Sequence, residues 1–273
     1  MPHDDLLALA RDIATRAGAL AKQRRAEGVE VAASKSSPVD VVTEADRETE
    51  RFIRAALAEA RPDDAFFGEE SDPTTGSSGL TWIVDPIDGT VNFLYGFPHY
   101  AVSIAVVEGG ADPQTWTALA ACVVNPAIDE VYTATAGGGA HLNDTRLQVA
   151  DAVELSQALV GTGFAYDSTM RGRQGRLAAD LLPLVRDLRR QGTASLDLCY
   201  VAAGRLNAYY ESTLSPWDHA AGALIAQEAG AVVKGFGGAR AGREFLLAGH
   251  PDVAARLEAT LVELGLESVL PRG

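Results

Sequence analysis

A chain of 273 residues with 47% hydrophobic and 22% charged side chains can fill one large domain or two closely packed halves. No apolar run is long enough to span a bilayer, and the N-terminus lacks the basic start and continuous apolar core of an export signal. The formal net charge of −14 sets the surface against nucleic acid and anionic membrane. Cys122 and Cys199, both in apolar company and without metal-ligand spacing, read as buried thiols of a reducing cytoplasm.

Residues 1–28 place Leu6, Leu9, Ile13, Ala17 and Leu20 at helical spacing with charges between them, the pattern of an amphipathic helix. Residues 29–32 are a short strand candidate, and 34–38 a polar loop carrying Lys35. A second helix starts at Asp40 or Thr43 and runs to about Ala60; Glu44 and Asp46 fall in its first turn, where the helix dipole favours acids. Phe66 and Phe67 then feed Gly68, Glu69 and Glu70, acids at the end of a strand. Residues 72–79, rich in Gly, Ser, Thr and Pro, predict a mobile loop.

The β-rich run 81–84 predicts a buried strand that stops at Asp85 and Asp88, with Pro86 between them. Gly89 and Thr90 follow, and Thr90 suits a helix start; Gly96 and Pro98 end that helix early. Carboxylate oxygens suit hard cations such as Mg²⁺, and a helix start offers free N–H groups to an anion. Together these are the parts of a metal-dependent phosphate site, although Asp, Pro and Gly are also ordinary turn residues.

Runs 100–107, 117–124 and 130–134 predict an antiparallel sheet. Residues 137–143 read as a glycine-rich link without the G-x-G-x-x-G spacing of a nucleotide loop, and 147–149 as a further strand. Beyond about Ala150 helix and strand alternate. A strand at 158–162 precedes a helix at 173–190 that Pro183 should kink. A helix then runs from Gly192-Thr193-Ala194-Ser195 to Gly204, followed by a strand at 206–211 and a strong helix from Pro216 to Ala229. Strands at 231–233 and 244–248 and a helix from Pro251 to about Leu264 close the chain. The expected fold class is therefore an α+β half followed by an α/β half, 1–149 and 150–273.

Acids recur at element ends: Asp46, Glu69, Asp85, Asp88 and Asp218. Brought together without cations they would repel strongly. Asp85-Pro86-Ile87-Asp88-Gly89-Thr90-Val91-Asn92-Phe93 resembles the first signature of the inositol monophosphatase family, and Trp217-Asp218-His219-Ala220-Ala221-Gly222 with Glu228-Ala229-Gly230 resembles its second. Gly68-Glu69-Glu70-Ser71 and Val42-Thr43-Glu44-Ala45-Asp46 are similar to two further motifs in the expected order, and Gly139 to Asn143 and Gly192-Thr193-Ala194 also fit. Ala231 departs from the family's usual second glycine, and residues 235–243 are shortened.

The resemblance implies a layered αβαβα sandwich and Mg²⁺-dependent hydrolysis of a phosphate monoester, with two to three ions. Glu69, Asp85 and the Ile87 carbonyl would bind one ion, and Asp85, Asp88 and Asp218 a second, with a third near Glu69. Thr90 and Glu69 would activate the attacking water, with Asp46 behind Thr90. The N–H groups of Gly89 and Thr90 would hold phosphate, and Asp88, Ala194 and Glu211 would meet substrate hydroxyls. Residues 1–149 then carry most metal ligands, and 150–273 carry Asp218 and the substrate contacts. The substrate implied is a small phosphorylated polyol or sugar, inositol 1-phosphate first, with fructose 1,6-bisphosphate, histidinol phosphate or a nucleotide 3′-phosphate as alternatives. The absence of an evident basic or aromatic pocket weighs against the nucleotide. Lithium sensitivity and a homodimer come from the resemblance alone, and a catalytically silent regulatory protein is the reading from another class. His99, His141, His219, Tyr209, Tyr210 and Trp217 read as packing residues.

Overall fold

The computed structural model describes residues 3–29, 31–34 and 41–271; Glu30, Lys35 with its polar loop, and the alternative helix start Asp40 lie outside them. Helix α1 (His3–Glu27) buries Leu6, Ala10, Ile13, Ala14, Ala17 and Ala21 along one stripe, as its spacing predicts. Strands β1 (Val31–Ser34) and β2 (Val41–Thr43) pair antiparallel. Helix α2 (Glu44–Ala60) starts from Thr43, which forms a reciprocal capping box with Asp46.

Strand β3 (Ala65–Gly68) runs parallel to β4 (Leu80–Asp88). The segment 72–79, expected to be mobile, is pinned: Thr74 bridges to Phe66, and the N–H groups of Ser77 and Ser78 both donate to the Asp63 carbonyl. Strand β4 also outruns its expected end, taking Asp85 to Asp88 into the sheet. Asp85 pairs with Ser103 and Asp88 with Ala101, so β4 carries one extra residue there. That is a bulge, and Pro86, without an N–H to offer a ladder, falls inside it. Helix α3 (Thr90–Tyr95) stops at Gly96, which is left-handed.

Strands β5 (Ala101–Glu108), β6 (Thr117–Asn125), β7 (Glu130–Thr135), β8 (Gly139–Leu142) and β9 (Thr145–Arg146) complete a seven-stranded sheet in chain order. The glycine-rich link is thus partly a strand, β8, and residues 147–149 are not one. The Leu147 N–H still donates to Ala140 of β8, but that of Val149 turns away to the Ala229 carbonyl.

Strand β10 (Leu159–Thr162) and helix α4 (Ser168–Leu181) follow. The single kinked helix expected over 173–190 is instead α4, a 3₁₀ turn at Leu182–Leu184 and a strand, β11 (Asp187–Arg189). Pro183 ends the helix because it has no N–H to donate and its ring crowds the preceding turn. Helix α5 (Ala194–Ala202), β12 (Ala208–Glu211), α6 (Pro216–Glu228), β13 (Val232–Lys234), β14 (Leu246–Gly249) and α7 (Pro251–Glu263) complete the chain. The second sheet has the order β11-β10-β12-β14-β13 and is mixed: β10 is parallel to both neighbours and β14 antiparallel to both of its own.

The two sheets and the helices stack in five layers. Leu6 and Ile13 of α1 and Ile53 and Leu57 of α2 pack on Trp82, Val84 and Ile104. Ile83 faces the other way, as strand alternation requires, and meets Leu196 and Cys199 of α5 and Ala221 and Ile225 of α6. The far side of α5 packs Leu198 and Val201 on Tyr209 and Leu246 of the smaller sheet. Leu177 and Leu181 of α4 and Val253 and Leu257 of α7 cover that sheet's outer face. This is the αβαβα sandwich. Both cysteines are buried and free, and among the described residues no helix is long and apolar enough to cross a membrane.

Candidate active site

The end of β4, the start of α3, the starts of α5 and α6 and the end of β12 surround one cavity of about 510 Å³. Glu69, Asp85, Asp88, Thr90, Glu211 and Asp218 line it, as do Ile87, Gly89 and Ala194. Local chemistry places the acids. Asp85 Oδ1 accepts the Ile87 N–H at 3.1 Å across the bulge. Asp88 Oδ2 accepts the Ser195 N–H, a free donor in the first turn of α5, at 2.7 Å. Asp218 Oδ2 accepts the Ser215 N–H at 2.6 Å and completes a capping box at the start of α6. Its role as a helix-start acid and its place in the cavity coexist.

Asp46 does not line the cavity but stands directly behind it. The Thr90 hydroxyl lies 3.0 Å from Asp46 Oδ1 and 3.1 Å from the Ile87 carbonyl oxygen. Asp46 Oδ2 accepts the Thr43 N–H at 2.8 Å and also the Thr43 hydroxyl. Burial raises the Asp46 carboxyl to about 7 against those bonds.

Gly89 has φ +91°, and a Cβ there would overlap Thr193 Oγ1, so only glycine fits this start of α3. Asn92 ties the same helix to the segment before α5, with Nδ2 donating to the His99 carbonyl at 2.8 Å and the Gln191 carbonyl at 2.7 Å. Thr193 donates to the His99 carbonyl at 3.0 Å. Strand β4 and helix α5 are thereby held at a set spacing across the cavity.

The electrostatics are those of crowded carboxylates. Burial, reinforced by Glu69 and Glu211, pushes Asp88 up to about 7 against its bond from Ser195. Burial, then Glu69 and Asp88, holds Asp218 well above the ordinary range. Glu211 is raised to about 7 by burial, opposed by the Tyr209 hydroxyl that donates to it. Carboxylate oxygens with a nearby carbonyl form a donor set for hard cations, and divalent charge would relieve the repulsion. Among the described residues no group of three or more His, Cys, Asp or Glu side chains is gathered closely enough to hold an ion by itself. Ions here would complete their shells with water and substrate oxygens, as Mg²⁺ commonly does.

Sequence reasoning expected no basic or aromatic pocket, yet Phe164, Tyr166, Asp167, Arg190 and Arg243 line the cavity. Trp217, expected only to pack, both packs against Phe67, with ring centroids 5.2 Å apart and tilted by 49°, and lines the cavity. Residues 164–167 follow the C-terminal end of β10, a position where α/β sheets bind ligands, so that signal was readable; Arg190 and Arg243 carry no local signal. Tyr209, expected to be a plain sheet residue, supports Glu211. His99, half-buried, packs against Tyr200, and the buried His219 against Trp116, both away from the cavity lining.

The model of the inositol monophosphatase family matches residues 3–268. The inositol-1-monophosphatase SuhB of Mycobacterium tuberculosis is 47% identical over 285 residues, covering 97% of this chain and 96% of that protein. The solved structure of Mycobacterium tuberculosis SuhB superposes with a TM-score of 0.81 at 44% identity, covering 97% of this chain and 98% of that one. A Pseudomonas aeruginosa protein named Nus factor SuhB is 43% identical over 226 residues, covering 81% of this chain and 80% of that protein.

Proposed function

The chain belongs to the inositol monophosphatase family, and from that premise we propose that it is a Mg²⁺-dependent phosphatase that hydrolyses inositol 1-phosphate to inositol and phosphate. The observation that carries the proposal is the meeting of Glu69, Asp85, Asp88 and Asp218 on one cavity, with Thr90 bonded to the buried Asp46 at its edge. These groups come from β4 and from four other parts of the chain, the turn after β3, α2, α3 and α6, and hard cations would hold them together in their charged form.

Glu69, Asp85 and the Ile87 carbonyl would hold one ion; Asp85, Asp88 and Asp218 would hold another, and a third would sit near Glu69. When bound, Mg²⁺ supplies acidity for the attacking water and charge neutralisation for the phosphoryl oxygens and the leaving alkoxide. The protein's own residues do the positioning that phosphoryl transfer chiefly requires. Asp46 accepts the Thr90 hydroxyl proton as a hydrogen bond, which leaves the Thr90 oxygen to accept one from the attacking water. Glu69 accepts the other water proton. The N–H groups of Gly89 and Thr90 would bind the phosphate, and Asp88, the Ala194 backbone and Glu211 the polyol hydroxyls. In this reading residues 1–149 carry most of the ion ligands, and residues 150–273 carry Asp218 and the substrate contacts. Inhibition by Li⁺, a homodimer and a cytoplasmic setting belong to the same proposal.

The test is phosphate release from inositol 1-phosphate, fructose 1,6-bisphosphate, histidinol phosphate and an adenosine 3′,5′-bisphosphate, with Mg²⁺ present or chelated. Metal-dependent preference for inositol 1-phosphate supports the reading, preference for another compound reassigns the substrate, and no release from any rejects it. A second reading, a non-catalytic role, draws on the relative named Nus factor SuhB. Metal binding without turnover on the panel would favour it.

A further inference from the structure

One buried acid has no part in the scheme above. Glu50 lies on α2 one turn after Asp46 and is only 2% exposed. Its Oε2 accepts the Glu70 N–H at 2.8 Å, and the Ser71 hydroxyl is close enough to favour its charged form. Arg54, a further turn along, donates through Nη1 to Ser71 Oγ at 2.6 Å and to the Asp72 carbonyl at 2.9 Å. The Glu50 carboxylate also presses on the Gly68 backbone: a Cβ at Gly68 would overlap Oε2 and lie 2.8 Å from Cδ. Asp46, Glu50 and Arg54 thus form a polar stripe with a spacing of four residues on one helix face. Asp46 holds Thr90, Glu50 grips the residues on both sides of Glu69, and Arg54 fastens the loop beyond.

We infer that Glu50 is a positioning residue, which uses α2 as a common ruler to set Glu69 against Thr90 across the cavity. The two grips stand one helical turn apart, about 6 Å along a rigid element. A carboxylate is a poor choice for stability alone at this site. Its burial raises its pKa, with Glu70 adding to the shift and Arg54 opposing it, and burying a charge costs more than burying an apolar side chain. Such local conflicts concentrate where function requires them. The kinetic arm of the test rests on the phosphatase reading; the ion-binding arm does not.

The test compares wild type, Glu50→Ala, Glu50→Gln and Glu48→Ala, the last a residue of the same helix paired instead with Arg24. The readouts are Mg²⁺ affinity by calorimetric titration, kcat and KM for phosphate release, and the urea midpoint. Glu50→Ala should weaken Mg²⁺ binding and lower kcat by about 10- to 100-fold, the usual effect of losing a group that supports a metal ligand, with KM little changed. Glu50→Gln should stay within a few-fold of wild type, since its amide oxygen still accepts the Glu70 N–H and its NH₂ can face Ser71 Oγ. Glu48→Ala should match wild type. A Glu50→Ala protein that loses only urea resistance, with affinity and kcat intact, overturns the inference. If Glu50→Ala does not fold, Glu50→Asp decides, because its carboxylate is one methylene too short to hold the Glu70 N–H in place: weaker Mg²⁺ binding supports the inference and unchanged binding overturns it. A wild type that binds Mg²⁺ without turnover refutes the phosphatase and leaves the affinity comparison to decide Glu50, and a wild type that binds no Mg²⁺ overturns both.

Discussion

Replacing Asp88 by Asn should make the metal-free protein more stable while destroying its activity. The side chain is 8% exposed, it shares the cavity with Glu69, Glu211 and Asp218, and its carboxyl is pushed up to about 7, first by burial and then by Glu69 and Glu211. For a carboxyl raised in the folded state the sign is set. The unfolded chain releases the proton near pH 4 and the metal-free folded protein only near pH 7, so folded stability falls as pH rises between them. Above pH 7 the whole penalty is present, at most about 4 kcal/mol for a difference of some three pH units. Asn keeps the shape and an oxygen for the Ser195 N–H, so part of that penalty is recovered, about 1–4 kcal/mol, or roughly 2–8 °C in Tm for a chain of this size. The assay is thermal unfolding at pH 8 in chelator, repeated in saturating Mg²⁺, beside phosphate release. The advantage of Asn should shrink or reverse with Mg²⁺, and kcat should fall by roughly three orders of magnitude or more. An Asp88→Asn protein less stable than wild type in chelator would refute the argument from crowded charge, and undiminished turnover would refute the ion-binding role.

Three further outcomes are expected. Asp64, with its side chain 1% exposed, accepts the Trp82 indole N–H at 2.8 Å and both arms of Arg61 at 2.8 and 3.0 Å. Asp64→Ala should therefore lose about 3 kcal/mol in urea unfolding with kcat at 25 °C unaltered, and a loss below about 1 kcal/mol rejects the reasoning. Gly89→Ala forces a left-handed alanine against Thr193 Oγ1; we expect about 2 kcal/mol lost and kcat reduced about 100-fold, because the start of α3 shifts. A normal kcat there would remove α3 from the chemistry. His99 is half-buried and its pKa is lowered to about 4 chiefly by that desolvation, whereas the unfolded imidazole titrates near 6.5. The unfolded state therefore binds protons first, and in saturating Mg²⁺ the urea midpoint should fall as pH drops from about 6.5 toward 4, by up to about 3 kcal/mol for this group. His99→Phe should flatten that slope, and an unchanged slope counts against the assignment.

Features governed by neighbours in the chain could be read from the sequence. The capping box of Thr43 with Asp46 and that of Ser215 with Asp218 each span three residues, the stripe of α1 repeats at helical spacing, and Gly96 ends α3 where sequence said it would. The acids lining the cavity were readable as candidates for the same reason: each sits in a short motif. What tertiary structure decided were the outcomes set by partners far along the chain. Whether Asp85 to Asp88 continue β4 depends on β5 offering a ladder with room for a bulge. Whether Asp187–Arg189 is a strand depends on β10 lying beside it. The pinning of residues 72–79 by Asp63 and Phe66, and the arrival of Arg190 and Arg243 at the cavity, likewise have no local cause. Glu50 illustrates the division. Sequence alone shows an acid on a helix, and only the packing of α2 against the turn after β3 makes it the acceptor for Glu70. Helix caps, apolar stripes and motif acids follow from interactions within a few residues, whereas pairing, burial and the convergence of charges depend on which distant surfaces the folded core brings into contact.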